Sequence, residues 1–261
     1  MNVWGHMDAK VPEGTHSELN PPASPCYAPP PWTYMGARIL NVVCRAEHSE
    51  ALHRWVPPPL ELAREDGLFV LFFLRVPGIP ELGKHYHSTE SGILIPARTA
   101  DGHVRGSTFA LMIVDNDVAL AGGREIWGYP KKLGSVRFEE SESRVSAAAH
   151  HMSYRDGEGA VLFGADVELD GSGEHLGSIV SGLEPRLLRR VIPDPYAPVA
   201  QSVDLLKIVH LPGKQYDSRS GRGRAYVAHS AERLDELGAI ETLGATFRVC
   251  DFTLPYAQRI S

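Results

Sequence analysis

Lys131 and Lys132 stand side by side in a chain that otherwise avoids lysine: of 26 basic residues only six are lysines, the others being Lys10, Lys84, Lys207 and Lys214. Arginine stays protonated in proteins, whereas lysine can supply a neutral amine, so paired lysines in an arginine-rich chain suggest a use for an amine. A free lysine of pKa near 10.4 is neutral only about once in 2,500 molecules at pH 7. Lowering that pKa by about 4 units makes the nucleophile common and corresponds to about 5 kcal/mol of destabilised ammonium. A neutral amine is a nucleophile, whereas the ammonium is not.

The surroundings constrain the pair. The run Gly122-Gly123-Arg124-Glu125-Ile126-Trp127-Gly128-Tyr129-Pro130-Lys131-Lys132-Leu133-Gly134 carries four glycines, a proline and two aromatics instead of the alternating acids and bases of a solvated face. Pro130 forbids a regular helix through Lys131, and Gly128 and Gly134 permit close backbone approach, so the pair sits on a tight turn or a strand. On a strand the two side chains leave on opposite faces, which weakens direct repulsion and leaves burial as the main cause of a pKa shift. On the residues alone, two surface charges at the start of a strand stand as the plainer reading.

The elements that must position these residues are mostly strands. Runs rich in Val, Ile, Leu and Phe, bounded by Gly, Pro, Asp or Ser, cover Arg38–Arg45, Leu68–Val76, Gly92–Ala97, Thr108–Val114, Arg144–Met152, Ala160–Leu169, Val203–Leu211 and Ala245–Leu254. Asp156-Gly157 and Asp170-Gly171 read as tight turns between strands. Short helices are expected at Ser49–Val56, stopped by three prolines, at Ser230–Leu237 before Gly238, and just after Asp117. Helices this short do not alternate with strands into a parallel sheet. The fold expected is α+β and mostly antiparallel β, a closed barrel with a few helices outside. Residues 1–31, rich in proline, form an extended arm suited to wrapping a neighbouring subunit, so a homo-oligomer is expected. Residues 32–261 form one domain.

The run from Asp115 through Gly134 resembles the acetoacetate decarboxylase family, whose signature is a Gly-Arg-Glu segment followed by Tyr-Pro-Lys-Lys-Leu-Gly. Asn41-Val42-Val43 and Val56-Pro57-Pro58-Pro59-Leu60-Glu61 resemble its first strand and the following helix end, and Thr89-Glu90-Ser91-Gly92 its active-site glutamate motif. Ile192-Pro193-Asp194, His229 and the segment from Asp251 to Pro255 fall in the expected order, so the likeness covers nearly everything after the arm. The resemblance implies that family's fold, Lys131 as the lysine that forms a Schiff base with a ketone and so serves as the electron sink with no metal or organic cofactor, Lys132 as the neighbour that depresses its pKa, and Glu90 as a carboxylate orienting substrate or moving a proton. It leaves Arg124 and Glu125 to structural hydrogen bonds. Two departures stand out. The family's arginine near the start of the first strand is matched by Ala37, with Arg38 one residue on, and a one-residue slip reverses the facing of a strand. The family's glutamate in the strand before the Thr-Glu-Ser-Gly motif is matched by Phe72. A more apolar pocket follows, with Phe72, Trp127, Arg38 and Tyr256 as candidate substrate contacts and a keto acid larger than acetoacetate as substrate. Decarboxylation is the favoured reaction, with aldol condensation and dehydration on the same lysine as the alternative and a non-catalytic ligand-binding barrel as the third reading.

Composition narrows the partners. The chain has 261 residues, 43% of them hydrophobic and 22% charged, and a net charge of −6, which argues against a nucleic-acid surface. Its longest apolar run, Leu68–Leu74, is far short of the roughly 20 residues that span a bilayer. Residues 1–30 lack a signal-peptide pattern, so no membrane partner and a cytoplasmic location are expected. Cys26, Cys44 and Cys250 have no C-x-x-C spacing, and neither His85 and His87 nor His150-His151 is joined by ligands at metal spacing, so no metal is expected. Gly171-Ser172-Gly173, in an expected hairpin, is a poor nucleotide site.

Overall fold

Strands carry most of the described chain, residues 25–152 and 159–260 of a computed structural model. They are β1 (Trp32–Ala46), β2 (Glu61–Leu62), β3 (Leu68–Val76), β4 (Ser88–Arg98), β5 (Arg105–Val114), β6 (Lys131–Glu140), β7 (Arg144–His151), β8 (Val161–Glu168), β9 (Arg186–Pro193), β10 (Ala200–Ile208), β11 (Leu211–Val227), β12 (Ile240–Leu254) and β13 (Gln258–Ile260). The α-helices are α1 (Asp117–Gly122) and α2 (Leu176–Ser181). The sheet is mostly antiparallel with few, short helices, as the sequence indicates. Pairing runs β5-β6-β7-β8-β11-β12-β1-β3-β4, and β4 pairs with β5 again, so these strands close a ring. β2 hangs on β4, while β9, β10 and β13 branch from β5.

Alternation along the strands divides the apolar residues between two cores. Leu40, Val42, Phe69, Leu71, Phe73, Ile93, Leu111, Ala147, Ala149, Phe163, Ala165 and Phe247 fill the inside of the ring. Phe73 and Phe163, on strands that are not neighbours, meet there at 5.7 Å between ring centroids. Ile39, Val43, Val70, Leu74, Leu94 and Met112 face the other way and pack with Leu176, Val180, Leu183, Leu188 and Ile208. A layer made of α2, β9 and β10 thus covers one side of the ring. Strands apolar on both faces explain the unbroken run Leu68–Leu74.

The differences from the sequence reading have local causes. β5 and β6 are parallel, Met112 opposite Lys131, because the connection between them is long enough to cross over. α1 begins that crossover, its first amides capped by Asn116 Oδ1 at 3.0 Å from Val118 N and 3.1 Å from Ala119 N. β11 has few apolar residues and no alternation, yet it pairs with β12 between Leu211 and Gly221 and with β8 from Arg222 to Val227. Asp170-Gly171 closes no hairpin; Ser172 N and Oγ both donate to Asp170 Oδ1, and the chain turns into α2, carrying Gly171-Ser172-Gly173 with it. Asp156-Gly157 lies outside the described residues. Ser49–Trp55 is a 3₁₀ turn, and only Leu234–Leu237 of the helix expected over Ser230–Leu237 forms, also as 3₁₀. Of the arm, residues 25–31 pack on their own chain: Tyr27 Oη donates to Glu125, and Trp32 Nε1 to Ala28 O at 2.8 Å. No helix among the described residues is long and apolar enough to cross a membrane.

Candidate active site around Lys131

Register assembles the site. Asn41 pairs with Phe72, Phe72 with Gly92, Gly92 with Met112 and Met112 with Lys131, a row that crosses β1, β3, β4, β5 and β6. These residues point to the covered side of the ring. A Cβ at Gly92 would lie 2.8 Å from Phe109 Cδ1, so the glycine leaves room for that aromatic ring. One step along, Leu74 pairs with Glu90, which lies inside β4. Asp115 fixes this end of the strand by accepting from Thr89 N at 2.8 Å.

Lys131 Nζ is 2.8 Å from Glu90 Oε2, and each side chain is only 4% exposed. Glu90 Oε1 has no hydrogen-bond partner among the described residues. The lysine is held along its length. Arg124 Nη1 donates to Lys131 O at 3.1 Å, the Tyr129 ring lies 5.5 Å from Nζ, and Nζ stretches over Gly123. Burial pushes the Tyr129 phenol well up, so it remains a hydrogen-bond donor. Gly128, at φ +76°, ends the π-helical turn Gly123–Trp127 that brings these residues together, and its α-carbon faces the Arg190 backbone where a Cβ would clash at 2.6 Å.

Gly123 was not a sequence candidate, but it earns a role. A Cβ there would lie 2.6 Å from Lys131 Cδ, 2.8 Å from Cε and 3.0 Å from Nζ, while its φ of −60° suits any residue. Gly123→Ala therefore displaces the lysine rather than the backbone. The expected result is a melting temperature close to that of the wild type with kcat lowered by about 10–100-fold, the scale of a misplaced reacting group. Unchanged kcat would show that the amine finds its position without this clearance.

The pair opens on a cavity of about 310 Å³. Near Lys131 its wall is apolar: Ile39, Phe72, Leu74, Phe109 and Met112, with the Phe72 and Phe109 rings edge to face at 5.5 Å. The far wall is polar and comes from the covering layer, β11 and β12, with Glu184, His210, Gln215 and Arg248, while the Arg186 guanidinium reaches the Phe109 ring, 5.8 Å from its centroid. Burial alone would raise the Glu184 carboxyl, but the hydrogen bond with His210 and the Arg186 charge outweigh it and hold it at about 2, against 4.5 for an ordinary glutamate. A depressed carboxyl contributes stability that is complete above the ordinary value and is lost as pH falls through the folded one. Glu184→Gln should therefore flatten the fall of melting temperature between about pH 4.5 and 2 relative to wild type. Parallel melting curves across that window would remove Glu184 as a source of acid lability.

Of the sequence candidates, Lys131, Glu90 and Phe72 line the cavity, and Lys132, Arg38, Trp127 and Tyr256 do not. Lys132 leaves on the opposite face, as strand alternation requires, and ion-pairs with Glu232 at 2.7 Å. Activation of Lys131 by an adjacent ammonium finds no geometry here. Arg38 turns to Glu140 at 2.8 Å, and buried Ala37 stands where the alternation points inward to the covering layer. Trp127 is fully buried but serves the loop: its ring packs edge-on against Trp32 at 4.8 Å and its Nε1 donates to Pro255 O at 2.8 Å. Tyr256 is 61% exposed on the short link between β12 and β13. The cavity residues that sequence reasoning missed, Glu184, Arg186, His210 and Arg248, lie on segments whose apolar pattern is weak or whose polar positions read as a solvated face.

Solved structures share the fold. Acetoacetate decarboxylase from Legionella pneumophila aligns with a TM-score of 0.77 at 21% identity over 91% of this chain and 90% of that one. The enduracididine biosynthesis enzyme MppR complexed with pyruvate aligns with a TM-score of 0.68 at 18% identity over 91% and 93%. Among curated relatives, acetoacetate decarboxylase 1 of Bradyrhizobium diazoefficiens is 34% identical over 133 residues, so the chain spans about half (50%) of that protein in the match and 51% of its own length. Acetoacetate decarboxylase of Chromobacterium violaceum is 28% identical over 238 residues, 90% of each chain. The family model described as acetoacetate decarboxylase matches residues 19–260, and this chain belongs to the acetoacetate decarboxylase family.

Proposed function

We propose that this chain is a carbon–carbon lyase that decarboxylates a keto acid through a Schiff base on Lys131. The observation that carries the reading is the buried Lys131–Glu90 contact at the apolar end of a ligand-sized cavity. Glu90 Oε2 lies on the path of the Nζ proton and accepts it, leaving a neutral amine. The amine adds to the ketone carbon, Glu90 gives that proton to the departing hydroxyl, water leaves, and a protonated imine forms. The bond from the carboxylate to its neighbouring carbon then breaks, its electron pair moves to the iminium nitrogen, and CO2 departs from a wall of Phe72, Leu74, Phe109 and Met112. A proton taken up from solvent and relayed by Glu90 goes to carbon, and water hydrolyses the imine to release the ketone. Membership of the family supports the same reaction class.

The test is intact-mass spectrometry after borohydride reduction in the presence of a keto-acid panel, with CO2 release followed in parallel. The expected result is a ketone-dependent mass increase that maps to Lys131. A folded protein that gives no adduct with any member of the panel overturns the reading in favour of a ligand-binding protein. A conjugated product formed without CO2 would instead show aldol condensation and dehydration.

A further inference from the structure

The cavity beside Lys131 has a second end that the Schiff-base chemistry leaves unused. On the paired strands β1 and β12, Ile39 faces Arg248 and Asn41 faces Thr246, so Asn41, Thr246 and Arg248 share the covered face. Asn41 Nδ2, Thr246 Oγ1 and Arg248 Nε are buried and have no hydrogen-bond partner among the described residues. Arg248 lines both the Lys131 cavity and an adjoining one of about 540 Å³ that Thr246 also lines, so it stands where the two meet. The other charged groups of the Lys131 cavity each have an ion-pair or hydrogen-bond partner, although Arg186 Nε, like Arg248 Nε, is left without one among the described residues. Glu184 holds His210 at 2.8 Å and Arg186 at 3.2 Å. Asp251 accepts from Gly36 N at 2.7 Å and from Tyr216 Oη at 2.9 Å. Among the described residues, no carboxylate forms an ion pair with Arg248. A guanidinium flanked by an amide and a hydroxyl, all with donors to spare, suits a carboxylate.

The two ends of the cavity would treat a carboxylate differently. Against Phe72, Leu74 and Met112 it is stripped of water and meets no hydrogen-bond donor on those side chains, which favours its loss as CO2. On Arg248 and Asn41 it is stabilised, and so retained. From the Schiff-base reading above, we propose that the substrate is a 3-oxo dicarboxylic acid, bound through its ketone to Lys131, with the 1-carboxylate against the apolar wall and the far carboxylate on Arg248 and Asn41. Along the curved sheet three strand spacings, about 14 Å, separate β4, which carries Glu90, from β12, so the direct distance is shorter, and the arginine side chain spans only part of it. The remainder suits a chain of several carbons, longer than acetoacetate. The C1–C2 bond breaks, CO2 leaves, the electron pair passes to the iminium nitrogen, a proton taken up from solvent and relayed by Glu90 is delivered to C2, and hydrolysis releases a 4-oxo acid and regenerates the amine.

The probes are 3-oxoadipate and 3-oxohexanoate, equal in chain length and different only in the far carboxylate. Wild-type enzyme should favour 3-oxoadipate in kcat/KM by about 30-fold or more, the scale of charge-assisted hydrogen bonds. Arg248→Gln should bring the ratio close to one, and Arg248→Lys, which keeps the charge but loses the planar fork, should restore part of it. Equal turnover of the two acids by the wild type, or a preference that survives in Arg248→Gln, overturns the proposal. Calorimetric binding of levulinate, the expected product, to the Lys131→Arg protein reads the anion site without the imine. Binding there that depends on Arg248, with no borohydride adduct on the wild type, would overturn the Schiff-base reading and keep the anion site. Adducts on both acids with no dependence on Arg248 would do the reverse.

Discussion

Replacing Lys131 by arginine should abolish every ketone-dependent borohydride adduct and lower kcat/KM by about 10⁴-fold or more, the scale of losing a covalent nucleophile. The fold should survive. Arginine keeps a cation beside Glu90, and the cavity of about 310 Å³ has room for the longer side chain. The guanidinium does not give up its proton under these conditions, so no imine forms. The choice of substitution matters. Lys131→Ala would leave the 4%-exposed Glu90 carboxylate without its partner, and stranding one member of a buried pair costs about 3–5 kcal/mol. A loss of activity there would mix chemistry with unfolding, whereas in Lys131→Arg a normal thermal melt with no adduct isolates the chemistry. An adduct that persists and maps to another lysine would overturn the assignment.

The second large effect concerns the proton. Glu90→Gln keeps a hydrogen-bonding side chain of the same shape at 2.8 Å from Nζ but removes the group that accepts and returns the proton. The expected loss in kcat is about 10²–10⁴-fold at neutral pH, the usual contribution of a positioned acid–base group. The rate should recover as pH rises, because solvent base then takes over the deprotonation of Lys131. A mutant with the wild-type rate at pH 7, or one whose defect is the same at every pH, would leave Glu90 as a structural ion-pair partner only.

How much of this was legible depends on what each residue's position encodes. The lysine motif is local, and Pro130 together with strand alternation is enough to separate the faces of Lys131 and Lys132. The structure shows that separation in full, one side chain buried and the other paired with Glu232. Alternation also accounts for Arg38, a single residue removed from the position that points into the cavity. Trp127 and Tyr256 were misplaced because nearness in sequence to a site says little about where a π-helical turn or a chain end directs a side chain. Glu184, Arg186 and His210 were illegible for another reason: they belong to the layer over the ring, and only the three-dimensional closure of that layer brings them to Lys131. Arg248 lies between inward-facing Phe247 and Val249 on a strand that was recognised, yet its polar face reads as solvent until the covering layer is seen. The parallel β5–β6 pairing was missed because the short α1 gives no sign that its connection crosses over.

The ring also sets an order for folding. The strands that carry Asn41, Phe72, Glu90 and Lys131 all lie within β1 to β6, close together in the chain, and their mutual pairings are largely local. The pairing of β1 with β12, by contrast, joins Trp32 to Leu254 across nearly the whole chain. Contacts of such separation form late, because the intervening chain must first be ordered. Until they do, β1 presents an unpaired edge beside Leu68–Leu74, a segment with no charge or proline to discourage strand addition from another molecule. The last strands of the chain therefore act as a clasp: they complete the far wall of the cavity and, in the same step, withdraw the edge through which a nascent or truncated copy would aggregate.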